Sequence, residues 1–371
     1  MKFIISTQEL NYLIGKVQSV VPAKATIPIL GNVLIEAKGG MIHITATDLM
    51  VVIHCYTEAK VIEEGATTLP AKRLSQLLRE LTAVNIELTT NDRDVTELVA
   101  GSSRFTLHGL NKKEFPTIPD LTGAERFTIG QKEIKEMFFR TSFAVSKEDS
   151  RYVLTGVGVR IQGGNALFTG TDGKRLARAQ TSVEVNPEFN ASYIIPLKAV
   201  EEFQRNLQDT GDALVYLTTD KIAIEANNTV LITKLLQGEY PDVSRVIPEK
   251  SETIVSLHRE ELIHLLRQVS LFTADTSHSV RFTFVNGELK LTANTSDIGE
   301  GKVSMPVNYH GDPLDIAFNP GFFLDILRHS KEETVTMGLT DPYNPGVIID
   351  KPAEKATGPL FVIMPMRLNE E

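Results

Sequence analysis

The chain is written three times. TQELNYLIGKV at 7–17, GQKEIKEMFFRT at 130–141 and HREELIHLLRQV at 258–269 carry apolar residues at one helical spacing. Leu10, Leu13, Ile14 and Val17 become Ile134, Met137, Phe138 and Thr141, then Leu262, Leu265, Leu266 and Val269. The i, i+3, i+4, i+7 pattern is the buried stripe of an amphipathic helix, and only Thr141 breaks it. Glu9, Glu133 and Glu261 precede the three stripes, where the positive end of a helix dipole favours an acid. A second helix recurs as PAKRLSQLLREL, PLKAVEEFQRNL and PGFFLDILRHSK, starting at Pro70, Pro196 and Pro320. Apolar residues follow four and seven positions on: Leu74 and Leu77, Val200 and Phe203, Leu324 and Leu327. Proline suits a first helical turn, where its missing N–H goes unused.

Between the helices run alternating strands joined at glycine corners: NVLIEAKGGMIHITATD, GVGVRIQGGNALFTGTD and VRFTFVNGELKLTANTSD. Such corners are hairpin signals. EFPTIPDL and EYPDVSRVIP close the first two copies. A period of about 125 residues rules out a single ordinary core and makes a repeat architecture. The expected organisation is α+β, with three similar domains over 1–122, 123–248 and 249–371.

Hydrophobic residues make 42% of the chain and charged ones 23%, the balance of a soluble globular protein. MKFIISTQEL lacks the apolar core of a signal peptide, and no window approaches a membrane span. The single cysteine, Cys55, excludes a disulfide framework and a cysteine-based zinc site, and fits a cytoplasmic location. A net charge of −9 argues against ordinary nucleic-acid binding, which uses a basic surface. The placement of cations matters more than their sum. Lys72 and Lys198 lie two residues past a helix proline, Arg79 and Arg205 nine past it. Lys16, Lys132, Lys135, Arg140, Arg259, Arg267, Arg328 and Lys331 decorate the other helices. Were these helices to share one concave surface, the cations would form a belt. Screening over about 8 Å would isolate it from acids on the far side. Such a belt holds a phosphate backbone weakly and reads no sequence. The absence of tryptophan argues against a stacking grip on single strands.

The stretch FTGTDGKRLARAQ at 168–180 resembles a catalytic loop only superficially. GTDGKR fails the P-loop pattern at both ends, with Phe168 for the first glycine and Arg175 for the Ser/Thr. GVGVRI is no dinucleotide fingerprint, the eight histidines contain no HExxH pair, and no GxSxG elbow occurs. Asp172 has a counterpart in Asp48 of the previous copy, so an architectural turn is the expected role of both. The second copy is distinguished by Lys174-Arg175-Leu176 after the corner. Two other functional classes are an enzyme acting on a nucleotide or phosphate ligand at 170–175, and a DNA-free scaffold of stacked repeats.

PILGNVLIEA (28–37), GTDGKRLA (170–177), GEYPDVSRVIP (238–248) and VIMPMRL (362–368), with the three repeats, resemble the bacterial DNA polymerase III beta sliding clamp family across the whole chain. The resemblance implies the DNA clamp fold in a head-to-tail homodimeric ring, helices inside and antiparallel sheets outside. Duplex DNA would pass through it. The ring would tether the replicative DNA polymerase, and a clamp-loader ATPase would open it. No catalytic residue, cofactor, metal or membrane contact is implied. The resemblance also implies a pocket for peptides of the Gln-Leu-x-Leu-Phe kind, carried by polymerases, the loader and repair proteins. Its matching positions are Leu154, Thr171, Gly173, Lys174, Arg175 and Leu176, then Pro241, Arg245 and Val246, then Val362, Met364, Pro365, Met366 and Arg367. Lys174 departs from the histidine common in the family, and Asn369-Glu370-Glu371 extend beyond where some relatives stop. For the ring joint the resemblance points to Arg104, Phe105 and Leu107 facing Leu271, Phe272 and Glu300, with Arg104 and Glu300 as charge partners. For the DNA channel it points to Lys24, Arg73 and Lys198.

Overall fold

A computed structural model describes residues 1–148, 150–274, 278–350 and 358–367. In the first repeat β1 (Lys2–Ser6) runs into α1 (Thr7–Gln18). The hairpin strands β2 (Asn32–Lys38), β3 (Met41–Thr47), β4 (Val51–Glu58), β5 (Lys60–Glu63) and β6 (Gly65–Pro70) lead to α2 (Ala71–Glu80). β7 (Asn85–Thr90), β8 (Val95–Ala100) and β9 (Ser103–His108) come next. The second repeat starts with β10 (Glu125–Gly130), α3 (Gln131–Ser142), β11 (Gly156–Gln162) and β12 (Asn165–Thr171). It continues through β13 (Arg175–Ser182), β14 (Ala191–Pro196), α4 (Leu197–Asn206), β15 (Asp212–Leu217), β16 (Lys221–Ala226) and β17 (Thr229–Lys234). The third starts with β18 (Thr253–His258), α5 (Arg259–Val269), β19 (Val280–Val285), β20 (Glu288–Thr295) and β21 (Gly299–Pro306). β22 (Leu314–Phe318), α6 (Pro320–Arg328), β23 (Thr334–Leu339), β24 (Gly346–Ile349) and β25 (Leu360–Ile363) complete it.

Pairing among these strands is antiparallel throughout. The chain forms two compact units that cut across the repeats: Met1–Lys135 with Lys198–Leu235, and Glu136–Leu197 with Leu236–Glu371. Sheet topology gives the reason. The first unit holds an eight-stranded sheet, β10-β15-β16-β17-β4-β3-β2-β6, in which four strands of one repeat join four of the next through β17 and β4. The second unit repeats this as β14-β11-β12-β13-β25-β24-β23-β18, joined through β13 and β25. A five-stranded sheet, β5-β1-β7-β8-β9, completes the first unit and a four-stranded one, β21-β20-β19-β22, the second.

The helical stripes explain the packing. Leu10, Leu13, Ile14 and Val17 are buried as α1 packs on α2, β3 and β4. Ile134, Met137 and Phe138 are buried in α3. Thr141 is buried too, and its hydroxyl donates to the Met137 carbonyl at 2.8 Å, so the polar intruder is satisfied within its own helix. Two stripes differ from the expected ones at a single position each, while Leu74 in α2 and Leu262, Leu266 and Val269 in α5 are buried as expected. In α2 the buried pair is Leu74 and Leu78, with Leu77 half-exposed. In α5 Ile263 is buried while Leu265 is only partly so. The core of the second unit centres on Phe282, with Phe318 edge-on at 5.3 Å and Phe323 stacked at 5.1 Å. Cys55 is wholly buried, and burial pushes its thiol up to about 12. Among the described residues no helix is long and apolar enough to cross a membrane.

Candidate functional site

The two Thr-Asp corners have one construction. In the first, Asp48 Oδ1 accepts the N–H groups of Met50 and Val51 at 2.9 and 2.8 Å, and the Thr47 hydroxyl donates to the Val51 carbonyl at 2.9 Å. In the second, Asp172 Oδ1 accepts from Lys174 and Arg175 at 2.9 and 3.0 Å, and Thr171 donates to the Arg175 carbonyl at 2.6 Å. The residue after each Asp is left-handed, Gly173 at φ 82° and Leu49 at φ 78°. Leucine there is strained where glycine is not. These aspartates turn the chain.

The two corners find their cations in different places. Asp48 takes its cation from α4, in an ion pair with Lys198. Burial would raise the Asp48 carboxyl, but the bonds from Lys198, Val51 and Met50 outweigh it and hold it below the usual carboxylate range. Asp172 takes its cation from the start of the next strand, β13, with Arg175 Nε at 3.0 Å. The Arg175 guanidinium also reaches Asp325 Oδ2 at 2.7 Å and donates to the Phe143 carbonyl at 3.0 Å. It lies over the Phe322 ring, 4.6 Å from its centroid. With its side chain 10% exposed, Arg175 clasps α6 to the corner. Its ring and carboxylate partners on α6 and the residue after α3 carry no sequence motif of their own.

The residues expected to form a peptide pocket divide into a buried set and an exposed set. Leu154, Leu176 and Val362 are each 2% exposed and Thr171 is buried. Leu176 stands opposite Val362 and Val362 opposite Val347, a buried neighbour absent from the sequence-derived set. Met364 and Val246 are 41% and 46% exposed, and Gly173, Lys174, Pro241, Arg245 and Arg367 are exposed as well. The Met364 N–H donates to the Lys174 carbonyl at 2.9 Å, which fastens the end of β25 to the corner. Pro365 and Met366 are half-buried, and Met366 bridges to Ala317 of β22. Arg245 pairs with Asp242 at 3.7 Å. Tyr240, also missed, lies on the backbone at Gly158, where a Cβ would come within 2.7 Å of its ring. The position equivalent to Gly158 in the first repeat is Leu34, which packs with Phe115. An aromatic before proline in EFP and EYP was the available signal. Leu368 and the Asn369-Glu370-Glu371 extension lie outside the described residues.

Of the proposed DNA-facing residues, Lys24 and Arg73 are exposed and Lys198 is half-exposed in its pair with Asp48. Other helix cations have internal roles. Arg140 is buried, held by Asp350, by Glu136 at 2.6 Å and by the His329 carbonyl at 2.7 Å, so it belongs to no surface belt. Lys16 donates to the Thr229 hydroxyl at 2.8 Å, and Arg259 to the Glu332 carbonyl at 3.0 Å. Of the proposed joint residues, Phe105 and Leu107 lie on β9 and Glu300 on β21, both edge strands. Leu107 is buried at 7% while Leu271 is 73% exposed, and Phe272 packs over Gly301. Arg104 pairs with Glu97 at 3.3 Å and Glu300 with Lys302 at 2.7 Å within the chain. Among the described residues no group of three or more His, Cys, Asp or Glu is placed to hold a metal ion.

Family models of the DNA polymerase III beta subunit match the chain in succession: the N-terminal domain at 1–119, the central domain at 128–242 and the C-terminal domain at 244–367. The beta sliding clamp of Chlamydia pneumoniae is 53% identical over 371 residues, covering 100% of both chains. That of Haemophilus influenzae is 31% identical over 370 residues, covering 99% of this chain and 100% of the relative. The crystal structure of the Pseudomonas aeruginosa DnaN sliding clamp bound to griselimycin superposes with a TM-score of 0.95 at 29% identity, over 99% of this chain and 100% of that one. With three tandem clamp domains, the chain belongs to the DNA polymerase III beta subunit family of sliding clamps.

Proposed function

We propose that two copies of this chain close head to tail around duplex DNA, and that the corner after Thr171 receives short peptides from the proteins the ring tethers. The chain's role as a processivity sliding clamp for DNA polymerase III rests on one observation: the family's three domains match in order along its full length. In this reading the domain seams fall near 122 and 248. The exposed edges β9 and β21 meet across the joint, with Leu271 covered by the partner and Arg104 exchanging Glu97 for Glu300. Unpaired sheet edges favour such closure, since pairing β9 with β21 would cover both of these edges. Lys24, Arg73 and Lys198 face the DNA backbone, where a few diffuse cations suit sliding. The protein performs no chemistry of its own and acts in the cytoplasm. A clamp-loader ATPase opens the ring, and repair polymerases share the peptide site with the replicative polymerase.

Exposed Met364 and Val246, with Leu176 and Val362 buried, support the peptide reading. Methionine adapts to several clients. Burying one Leu and one Phe contributes about 3–6 kcal/mol, and backbone and rim contacts must supply the rest of the roughly 8 kcal/mol that micromolar affinity requires. The Asp172 carboxylate is closed on its own loop and on Arg175, and nothing favours a phosphate-ligand enzyme or a DNA-free scaffold. Replacing Met364→Ala together with Leu176→Ala should weaken a Gln-Leu-x-Leu-Phe peptide at least about tenfold by fluorescence anisotropy, one Leu-sized contact's worth. The solution mass should stay at twice the 41.0 kDa chain. Loss of the dimer with unchanged peptide affinity would reassign these residues to a structural seam.

A further inference from the structure

The repeat gives the first unit its own copy of the socket floor. Val52 stands opposite Ile232, and Ile232 opposite Ala223, in the register that sets Leu176 opposite Val362 and Val362 opposite Val347. Even the fastening recurs: the Lys234 N–H donates to the Met50 carbonyl at 3.3 Å, as Met364 does to Lys174 at 2.9 Å. The difference is in the cover. In the first unit Ile118 and Leu121, from the EFPTIPDL linker, pack onto Val52, Ile232 and Ala223. Aligned on Pro116 and Pro241, their counterparts in EYPDVSRVIP are Val243 and Val246, and Val246 is 46% exposed.

The cause lies in where each linker turns. Asp120 accepts the N–H and hydroxyl of Thr122 at 2.9 and 2.7 Å, so the first linker turns late and lays Leu121 on the sheet. Asp242 does the same for Ser244 at 3.0 and 2.6 Å, three aligned positions earlier, and the short helical turn Ser244–Val246 then leaves its end in solvent. An aspartate's side-chain turn is enough to redirect a short connector.

We infer that the corner after Thr47 is a second peptide socket, occupied in cis by the chain's own linker, with Ile118 and Leu121 standing where the two apolar anchors of a client would lie. This rests on reading the Thr171 corner as the client site. Its consequence is stoichiometric: the linker limits each chain to one client. Beside the covered floor, Leu49 and Met50 remain 47% and 46% exposed, a half-built apolar rim.

Isothermal titration with the synthetic peptide Gln-Leu-Ser-Leu-Phe tests it on the full chain. The unaltered protein should bind one peptide per chain, and the Ile118→Ser, Leu121→Ser variant two. Adding Leu176→Ala and Met364→Ala to that variant should bring the count back to one, now at the first corner. A linker variant with native circular dichroism and unchanged solution mass that still binds one peptide would overturn the inference. Binding of one peptide to the linker variant and none to the unaltered chain would overturn the reading of the Thr171 corner and leave this one standing. Binding to neither would overturn both. Should the double variant unfold, Leu121→Ala alone serves, read by amide hydrogen exchange: peptide-induced protection of residues 221–234 is expected, and its absence counts against the socket.

Discussion

At the scale of single residues, the outer face of β3 and β4 shows how burial sets chemistry. His43 Nδ1 and His54 Nε2 lie 3.3 Å apart with their rings stacked, and His54 Nδ1 meets the Thr45 hydroxyl at 2.9 Å. Burial first, and the neighbouring His43 second, push His54 down to about 4, with Glu225 opposing them. Because the unfolded chain binds this proton more readily, stability is lost as pH falls from about 6.5 towards 4 and levels off below that. The shift sets an upper bound of about 3 kcal/mol on this contribution. NMR titration of the His54 ring should give a midpoint near 4; one at 6 or above would contradict the buried, neutral assignment. The aspartate corners were readable from sequence because Thr-Asp recurs with the same spacing. Arg175's contacts with Asp325, Phe322 and Phe143 were not, since those residues come from segments distant in the chain.

At the scale of elements, the amphipathic stripes of α1 and α3 were legible because helical period and burial agree residue by residue. In α2 Leu78 rather than Leu77 is buried, and in α5 Ile263 joins the expected Leu262, Leu266 and Val269 while Leu265 is only partly buried. Helices of ten and eleven residues offer two adjacent apolar faces there, and the tertiary neighbour decides between them. The exchange of strands between repeats, β17 onto β4 and β25 onto β13, left no local signal, because pairing partners far apart in sequence share only their alternation. Arg140 was invisible in its role for the same reason. Its partner Asp350 is fully buried and also accepts the N–H groups of Lys331 and Glu332 at 2.9 and 3.0 Å. Removing one member of such a pair leaves a buried charge alone, at a cost of about 3–5 kcal/mol. Arg140→Met should therefore lower the denaturation midpoint strongly, and adding Asp350→Asn should recover part of the loss. A single variant within about 1 kcal/mol of the parent would show the pair to be solvated rather than buried.

At the scale of the whole molecule, the net charge of −9 and the sliding-clamp family are compatible only if cations are placed where DNA passes. Lys24 and Arg73 are exposed, as the proposed DNA-facing role requires, while Arg140 and Arg259 are drawn into the fold. The sequence therefore overstated the belt by counting helix cations without knowing which were buried. The repeats and the four family-like motifs, by contrast, identified the architecture over the full length. The central claim is topological, and retention on DNA tests it most directly. Protein loaded onto a nicked circular duplex should co-elute with it through a sizing column at high salt, and should be lost once a single cut makes the circle linear. Equal retention on both forms, or equal loss from both, would contradict a ring closed around the double helix.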